Sequence, residues 1–417
     1  MIGNDMGNGN YINIEKTGRP LYGDHILIAS ILLLTGLGFV TLYSSSYAYS
    51  ERFFNDGLYL FSHQLIIGGA GGMVLFILAS RIKLELVRNL TKWLVIITIV
   101  LCLLTFVPGI GVMKNGAARW IKIGNYTYQP SELVKLVLPL YLAHIFDKKQ
   151  DNLDSLSSGI LPPVIVTVLF FILIYMQNNF STAVLLALNA LFIFYFAGVR
   201  LRFFFSSLLM FLPLSCLLIL TKEHRLRRVF SFIFPEWEPQ GAGFQVRASI
   251  LTIVSGGFLG KGMGHGTRKI ASVPEIHSDF IFSSFAEESG FLGVLLFCLL
   301  FAVFAVHGYK AAMRKEDMYR RLVAAGIVTS IVSQVLLNIA VVAGILPTTG
   351  IPLPFFSAGG SSLATTLASA GLVVNVSRSS RAAEMLDDSQ VEWQGAFERE
   401  YSLNAERSSR TEVHNVR

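Results

Sequence analysis

The densest set of reactive side chains lies in Pro274-Glu275-Ile276-His277-Ser278-Asp279-Phe280-Ile281, with Glu287 and Glu288 close behind. Glu275, His277 and Asp279 alternate, so an extended segment would carry all three on one side. A histidine with carboxylates can bind a divalent cation or supply a general base. A solvated loop with a capping aspartate is the plain alternative. Against it, Asp279 abuts Phe280-Ile281-Phe282, and a carboxylate at an apolar rim makes a partly desolvated base.

Three further stretches carry polar residues in unusual places. Residues 109–129 hold Lys114, Arg119, Trp120 and Lys122. Arginine forks onto phosphate oxygens and an indole packs on a sugar ring, which suits a headgroup or sugar-phosphate ligand. An interfacial tryptophan anchor with basic flanks would have the same composition. In Gln129-Pro130-Ser131-Glu132-Leu133-Val134-Lys135, the proline suits a first helical turn, and Glu132 and Lys135 fall on one helix face. Inside an apolar span such charges must pair or line a wet cavity, and both readings stay open. The glycine-rich stretch Ser255–Gly266 fails as a phosphate loop. The required spacing would put glycine at Ser255 and a hydroxyl residue at Gly262, and no buried strand precedes it. A tightly turning or flexible loop remains, in which Lys261, Arg268 and Lys269 could face an anion.

The elements that position these residues follow from composition. Of 417 residues 53% are hydrophobic and 15% charged, against about 25% charged in ordinary soluble proteins. Apolar runs long enough to cross a bilayer recur along the chain. The expected fold is therefore an all-α polytopic membrane protein of about ten transmembrane helices. The spans fall near 25–45, 61–80, 91–108, 130–146, 160–177, 182–199, 203–221, 290–309, 323–346 and 363–377. Basic residues follow every even-numbered span: Arg81 and Lys83, Lys148 and Lys149, Arg200 and Arg202, Lys310, and Arg378. By the positive-inside rule both termini are cytoplasmic. The loops 109–129 and 222–289 are then outside, the second being a large outer loop between spans 7 and 8. Residues 1–24 form a cytoplasmic N-terminal segment, 25–380 the transmembrane domain, and 381–417 a flexible cytoplasmic tail. The net charge of +7 is mostly this orientation signal. Scattered between spans, it makes nucleic acid a poor partner. Cys102, Cys216 and Cys298 suit neither a disulfide framework nor a zinc site.

Six motifs in order carry a resemblance. They are Gly-Ala-Ala-Arg-Trp (116–120), Gln-Pro-Ser-Glu-Leu-Val-Lys (129–135), the glycine array at 255–266, Pro-Glu-Ile-His-Ser-Asp-Phe-Ile-Phe (274–282), Ala-Glu-Glu-Ser-Gly (286–290) and Leu-Pro-Thr-Thr-Gly-Ile-Pro-Leu-Pro-Phe-Phe-Ser-Ala-Gly-Gly-Ser-Ser (346–362). Together they resemble the SEDS family of bacterial cell-wall polymerases, and the last motif is nearer its division branch than its elongation branch. Ser278, Ala358 and Ala248 depart from the family pattern without removing a candidate catalytic residue. The resemblance implies a peptidoglycan glycosyltransferase that joins lipid II to a nascent glycan on the outer face of the cytoplasmic (inner) membrane, at the division site. Asp279 would be the catalytic base. Arg119, Trp120, Lys122, Glu275 and His277 would bind substrate, and Glu132 with Lys135 would shape the cavity floor. The diphosphate leaving group implies a divalent cation, Mg²⁺ or Mn²⁺, and no organic cofactor. Implied partners are membrane lipids, a class B penicillin-binding protein (the transpeptidase) and other division proteins. The rivals are a lipid II flippase, an elongation-type polymerase, and a non-enzymatic scaffold for the transpeptidase.

Overall fold

Asp24 opens the first helix because its carboxylate accepts the otherwise unpartnered N–H groups of Ile26 and Leu27. The computed structural model describes residues 24–378 apart from 115, 125, 154, 235–240, 267–275 and 314–316. The N-terminal segment, the tail and Glu275 therefore lie outside the described residues. The chain is mostly helical: α1 His25–Phe54, α2 Tyr59–Arg81, α3 Leu84–Leu104, α4 Pro130–Lys148, α5 Leu156–Met176, α6 Phe180–Phe196 and α7 Leu201–Leu220. Two shorter helices follow, α8 Glu223–Ile233 and α9 Ala242–Ser255. The long pair α10 Ile281–Met313 and α11 Met318–Val342 comes next, and α12 spans 360–378. Among the described residues, α1, α2, α3, α5, α10 and α11 are long and apolar enough to cross a membrane.

Three boundaries differ most from expectation, the first being α1, which runs on to Phe54 where an end near 45 was expected. The third helix starts at Leu84 because Glu85 and Arg88 sit at a helix end where charge is tolerated. The eighth starts at Ile281 and kinks at Gly290, whose φ of 65° is a left-handed value that glycine adopts at no steric cost. The all-α expectation also needs correcting. The 109–129 segment folds into an antiparallel three-stranded sheet, β1 Gly111–Lys114, β2 Ala117–Ile123 and β3 Tyr126–Tyr128, in the order β1-β2-β3.

Packing sorts the helices into centre and periphery. In α11, 67% of its apolar window is buried, against 22% in α2 and α10, so α11 faces protein where the others face outward. It packs against α10, α4 and α6, and α1 packs against α10. Central position explains why α4 tolerates Glu132, Lys135 and Pro139: it is buried on nearly every side and its polar groups meet protein partners. Proline at its first turn is where the sequence places it. The core is aliphatic and phenylalanine-rich, with Phe146, Phe297, Phe304 and Phe356 fully buried. Cys102 is buried while Cys216 and Cys298 are exposed.

Candidate active site

Asp279 sits in a turn at 276–280 immediately ahead of α10. Residues 276–280 are not extended, so the expected alternation of His277 and Asp279 on one side does not hold, and Glu275 lies outside the described residues. The reason lies in the loop that leads into α12. Ser357 Oγ donates to the carbonyl of Ser278 (2.6 Å), and the amide of Ala358 donates to that of His277 (2.9 Å). Curling onto these donors sets His277 against α1. The His277 ring is 9% exposed and packs on Tyr49 of α1, with centroids 4.6 Å apart. Asn338 of α11 fixes the other side of the turn. Its Nδ2 donates both to the carbonyl of Asp279 (2.9 Å) and to that of Ile351 (2.8 Å).

Asp279 lines a cleft of about 300 Å³ with Arg228, Gln245, Asn338, Thr348 and Gly350 among its walls. Gly350 marks where Asp279 and Arg119 approach each other. A Cβ added there would lie 3.5 Å from Asp279 Oδ2 and 4.0 Å from Arg119 Nη1. Arg119 reaches this point through a β-bulge. Val112 pairs with Trp120 and Met113 with Ala118, leaving Arg119 as the extra residue of β2. A bulge re-aims the side chain it releases. The guanidinium is then anchored, because its Nη2 donates to the carbonyl of Asn178. Asn178 takes a left-handed φ of 59° at the α5–α6 turn, a conformation asparagine tolerates. Its side chain in turn donates to the carbonyl of Gly116 (2.8 Å), locking the sheet to the helices.

Two arginines that the sequence reading passed over complete the site. Arg225 and Arg228 lie three apart on α8, and both interact electrostatically with Arg119. Burial, together with the charges of Arg228 and Arg225 and against the pull of Asp279, brings Arg119 down to about 10. Arg228 is likewise lowered by burial, with Asp279 opposing. His224 is held below the usual imidazole value, first by burial and then by the surrounding arginines. Arg225 is 5% exposed, with its guanidinium 4.4 Å from the ring centroid of Tyr175 and 5.0 Å from that of Phe180. The available signal was Arg225, Arg227 and Arg228 in a segment assigned to the outside, where basic residues have no topological role.

The remaining expected residues separate from this cleft. Trp120 is half-buried and Lys122 exposed; two apart on β2, neither is among the cleft-lining residues. Glu132 and Lys135 do form the ion pair that their spacing indicates, at 2.7 Å. Lys135 also donates to Gln334 Oε1 (2.9 Å), and Gln334 Nε2 donates to the carbonyl of Pro352 (2.8 Å). A lysine only donates, so it fixes the amide orientation that lets Gln334 hold the 348–353 loop. This pair lines a separate pocket of about 20 Å³. The glycine array is a packing device. Gly256, Gly260 and Gly290 lie so close to facing backbone that an added Cβ would meet it at 2.3, 2.1 and 2.2 Å. Lys261 faces an anion of the protein itself, the fully buried Glu287 at 2.6 Å, while Arg268 and Lys269 lie outside the described residues. Glu288 accepts from Ser44 (2.5 Å) and from the amide of Gly264 (3.1 Å).

Residues 24–382 match the profile of the cell cycle protein family FtsW/RodA/SpoVE. The chain belongs to this family, known also as SEDS. A relative from Trichlorobacter lovleyi named "Probable peptidoglycan glycosyltransferase FtsW" is 35% identical over 87% of this chain and 95% of its own length. The stage V sporulation protein E of Bacillus subtilis is 35% identical over 88% of this chain and 100% of its own. Among solved structures, a chain from a peptidoglycan synthase complex that coordinates polymerization and crosslinking superimposes with a TM-score of 0.73 at 26% identity, covering 86% of this chain and 99% of that one. The rod shape determining protein RodA of Thermus thermophilus gives 0.64 at 25% identity, covering 87% and 98%. The SEDS fold thus extends over 86–87% of the chain. No three histidine, cysteine, aspartate or glutamate side chains converge as a metal site among the described residues.

Proposed function

We propose that this chain is a peptidoglycan glycosyltransferase that polymerises lipid II on the outer face of the cytoplasmic membrane during division. The observation that carries the reading is one carboxylate, Asp279, in a cleft shared with Arg228 and adjoining Arg119. A sugar hydroxyl is a poor nucleophile, and Asp279 is placed to take its proton as it attacks. The new bond joins that oxygen to the anomeric carbon of the other sugar, while the bond from that carbon to the diphosphate oxygen breaks. Attack from the opposite face inverts the anomeric centre. The departing diphosphate carries the electron pair, and Arg119 and Arg228 stabilise it; two guanidinium groups brought together beside the cleft favour binding an anion. A divalent cation would travel with the diphosphate, since Mg²⁺ needs only one or two carboxylates when phosphate oxygens complete its shell.

In this reading α1–α7, α10, α11 and α12 are ten membrane passages and both termini are cytoplasmic. The sheet, α8, α9 and the Asp279 turn then share the outer side. α4 and α12 pass as central helices whose polar residues face protein. The substrates would be lipid II and the nascent glycan, with lipid tails in the surrounding bilayer. A class B penicillin-binding protein and other division proteins would be the partners, as membership of a synthase complex by a structural relative suggests. Against a flippase stands the size of the intramembrane pocket, about 20 Å³, which holds about one water and no headgroup.

The test is a gel assay of glycan strands made from labelled lipid II by purified protein, with and without the transpeptidase, beside Asp279→Ala. Strands from wild type and none from folded mutant are expected. Lipid II crossing liposome bilayers with no strands formed would replace this reading with the transporter.

A further inference from the structure

We propose that Asn338 and Thr348 form a sugar-reading edge in the cleft beside Asp279, accepting and exchanging hydrogen bonds with the O–H and N–H donors of an amino sugar. The proposal rests on the glycosyltransferase reading and adds a binding subsite to it. Asn338 is 1% exposed and lines the cleft. Its two Nδ2 hydrogens are committed to the carbonyls of Asp279 and Ile351. The amide cannot be turned round, because its oxygen would then face two carbonyl oxygens. Asn338 Oδ1 is left as a buried acceptor without a partner.

Thr348 presents the same situation from the other wall. Its carbonyl accepts from Arg228 Nη1 at 3.4 Å, while its buried hydroxyl has no hydrogen-bond partner. Both residues line the cavity that Asp279 lines. A buried polar atom left unpaired gives up its hydration without return, so two around one cleft mark groups set aside for a ligand. The arginines meet the diphosphate, while a neutral acceptor and a hydroxyl suit the hydroxyl and acetamido groups of a sugar. One residue therefore has two tasks: Nδ2 of Asn338 holds the turn that carries the base, and Oδ1 reads the sugar that the base serves.

The experiment uses full-length protein. Lipid II affinity is measured in the Asp279→Ala background, where no turnover occurs, and steady-state kinetics are measured with Asp279 intact. Thr348→Val keeps the shape and removes the hydroxyl. It should weaken lipid II binding and lower kcat/KM about ten-fold, and Thr348→Ser should restore both. Asn338→Asp keeps an acceptor but gives up the clamp, so kcat should fall about ten-fold with KM nearly unchanged. An unchanged Kd for Thr348→Val overturns the proposal. A weakened Kd for Thr348→Val, with no strands formed even when Asp279 is intact, would keep the subsite and reject the glycosyltransferase reading.

Discussion

Two polar clusters lie one helical turn apart on α11, and they are built on opposite rules. Around Gln334 every charge has an answer: Lys135 meets Glu132, and Gln334 passes the interaction on to Pro352. The adjoining pocket is about 20 Å³. Around Asn338 the cleft is about 300 Å³, three arginines crowd one another near Asp279, and two buried polar atoms lack partners. The lesson is that a buried charge is not by itself a site. Internal neutrality with no room marks a structural bridge, whereas surplus charge beside open volume marks a place for a ligand.

That contrast can be broken by substitution. The largest effect should come from Asp279→Asn, which removes the base while leaving packing intact. Strand synthesis should fall about 10²–10⁴-fold with an unchanged melting temperature; a melting temperature that falls with the activity would make Asp279 a structural residue. Lys135→Met should do the reverse. It strands a buried carboxylate and should cost about 3–5 kcal/mol of stability, measurable as a shift in thermal unfolding in detergent. Adding Glu132→Gln should recover most of that loss, and a double variant that is stable yet inactive would move the pair into the site. Arg119→Lys comes next. It keeps the charge but loses the fork and the planar anchor to Asn178, so kcat/KM should drop about ten-fold. Lys122→Ala should change kcat/KM by less than about two-fold, because Lys122 is exposed and outside the cleft and exposed charges contribute little.

Several parts of this arrangement were legible without coordinates. The membrane class, the helical passages and the Glu132–Lys135 pair follow from run length and from spacing on one helix, both local properties. Spacing alone argued against a phosphate-loop role for the glycine array, yet its packing task was invisible. Gly260 must pass against the backbone of Glu288 and Gly290 against that of Gly260, contacts set by residues about thirty positions away. The sheet in 109–129 was missed because its strands are short and lie between membrane passages, where a loop was the simpler expectation. His277 was misplaced because its turn is shaped by donors from 357–358, some eighty residues downstream.

What the sequence determined by itself was the solvent each segment must satisfy, since hydrophobic length and charge placement are summed over neighbours along the chain. It also supplied the residue types that the proposed chemistry calls on, Asp279 and Arg119 among them. Only the tertiary structure decided which of those residues meet. A bulge aims Arg119, the left-handed Asn178 holds it, Asn338 pins the Asp279 turn, and α8 brings Arg225 and Arg228 alongside. Each of these contacts joins segments far apart in the chain, and its energy depends on burial and geometry that no local pattern encodes.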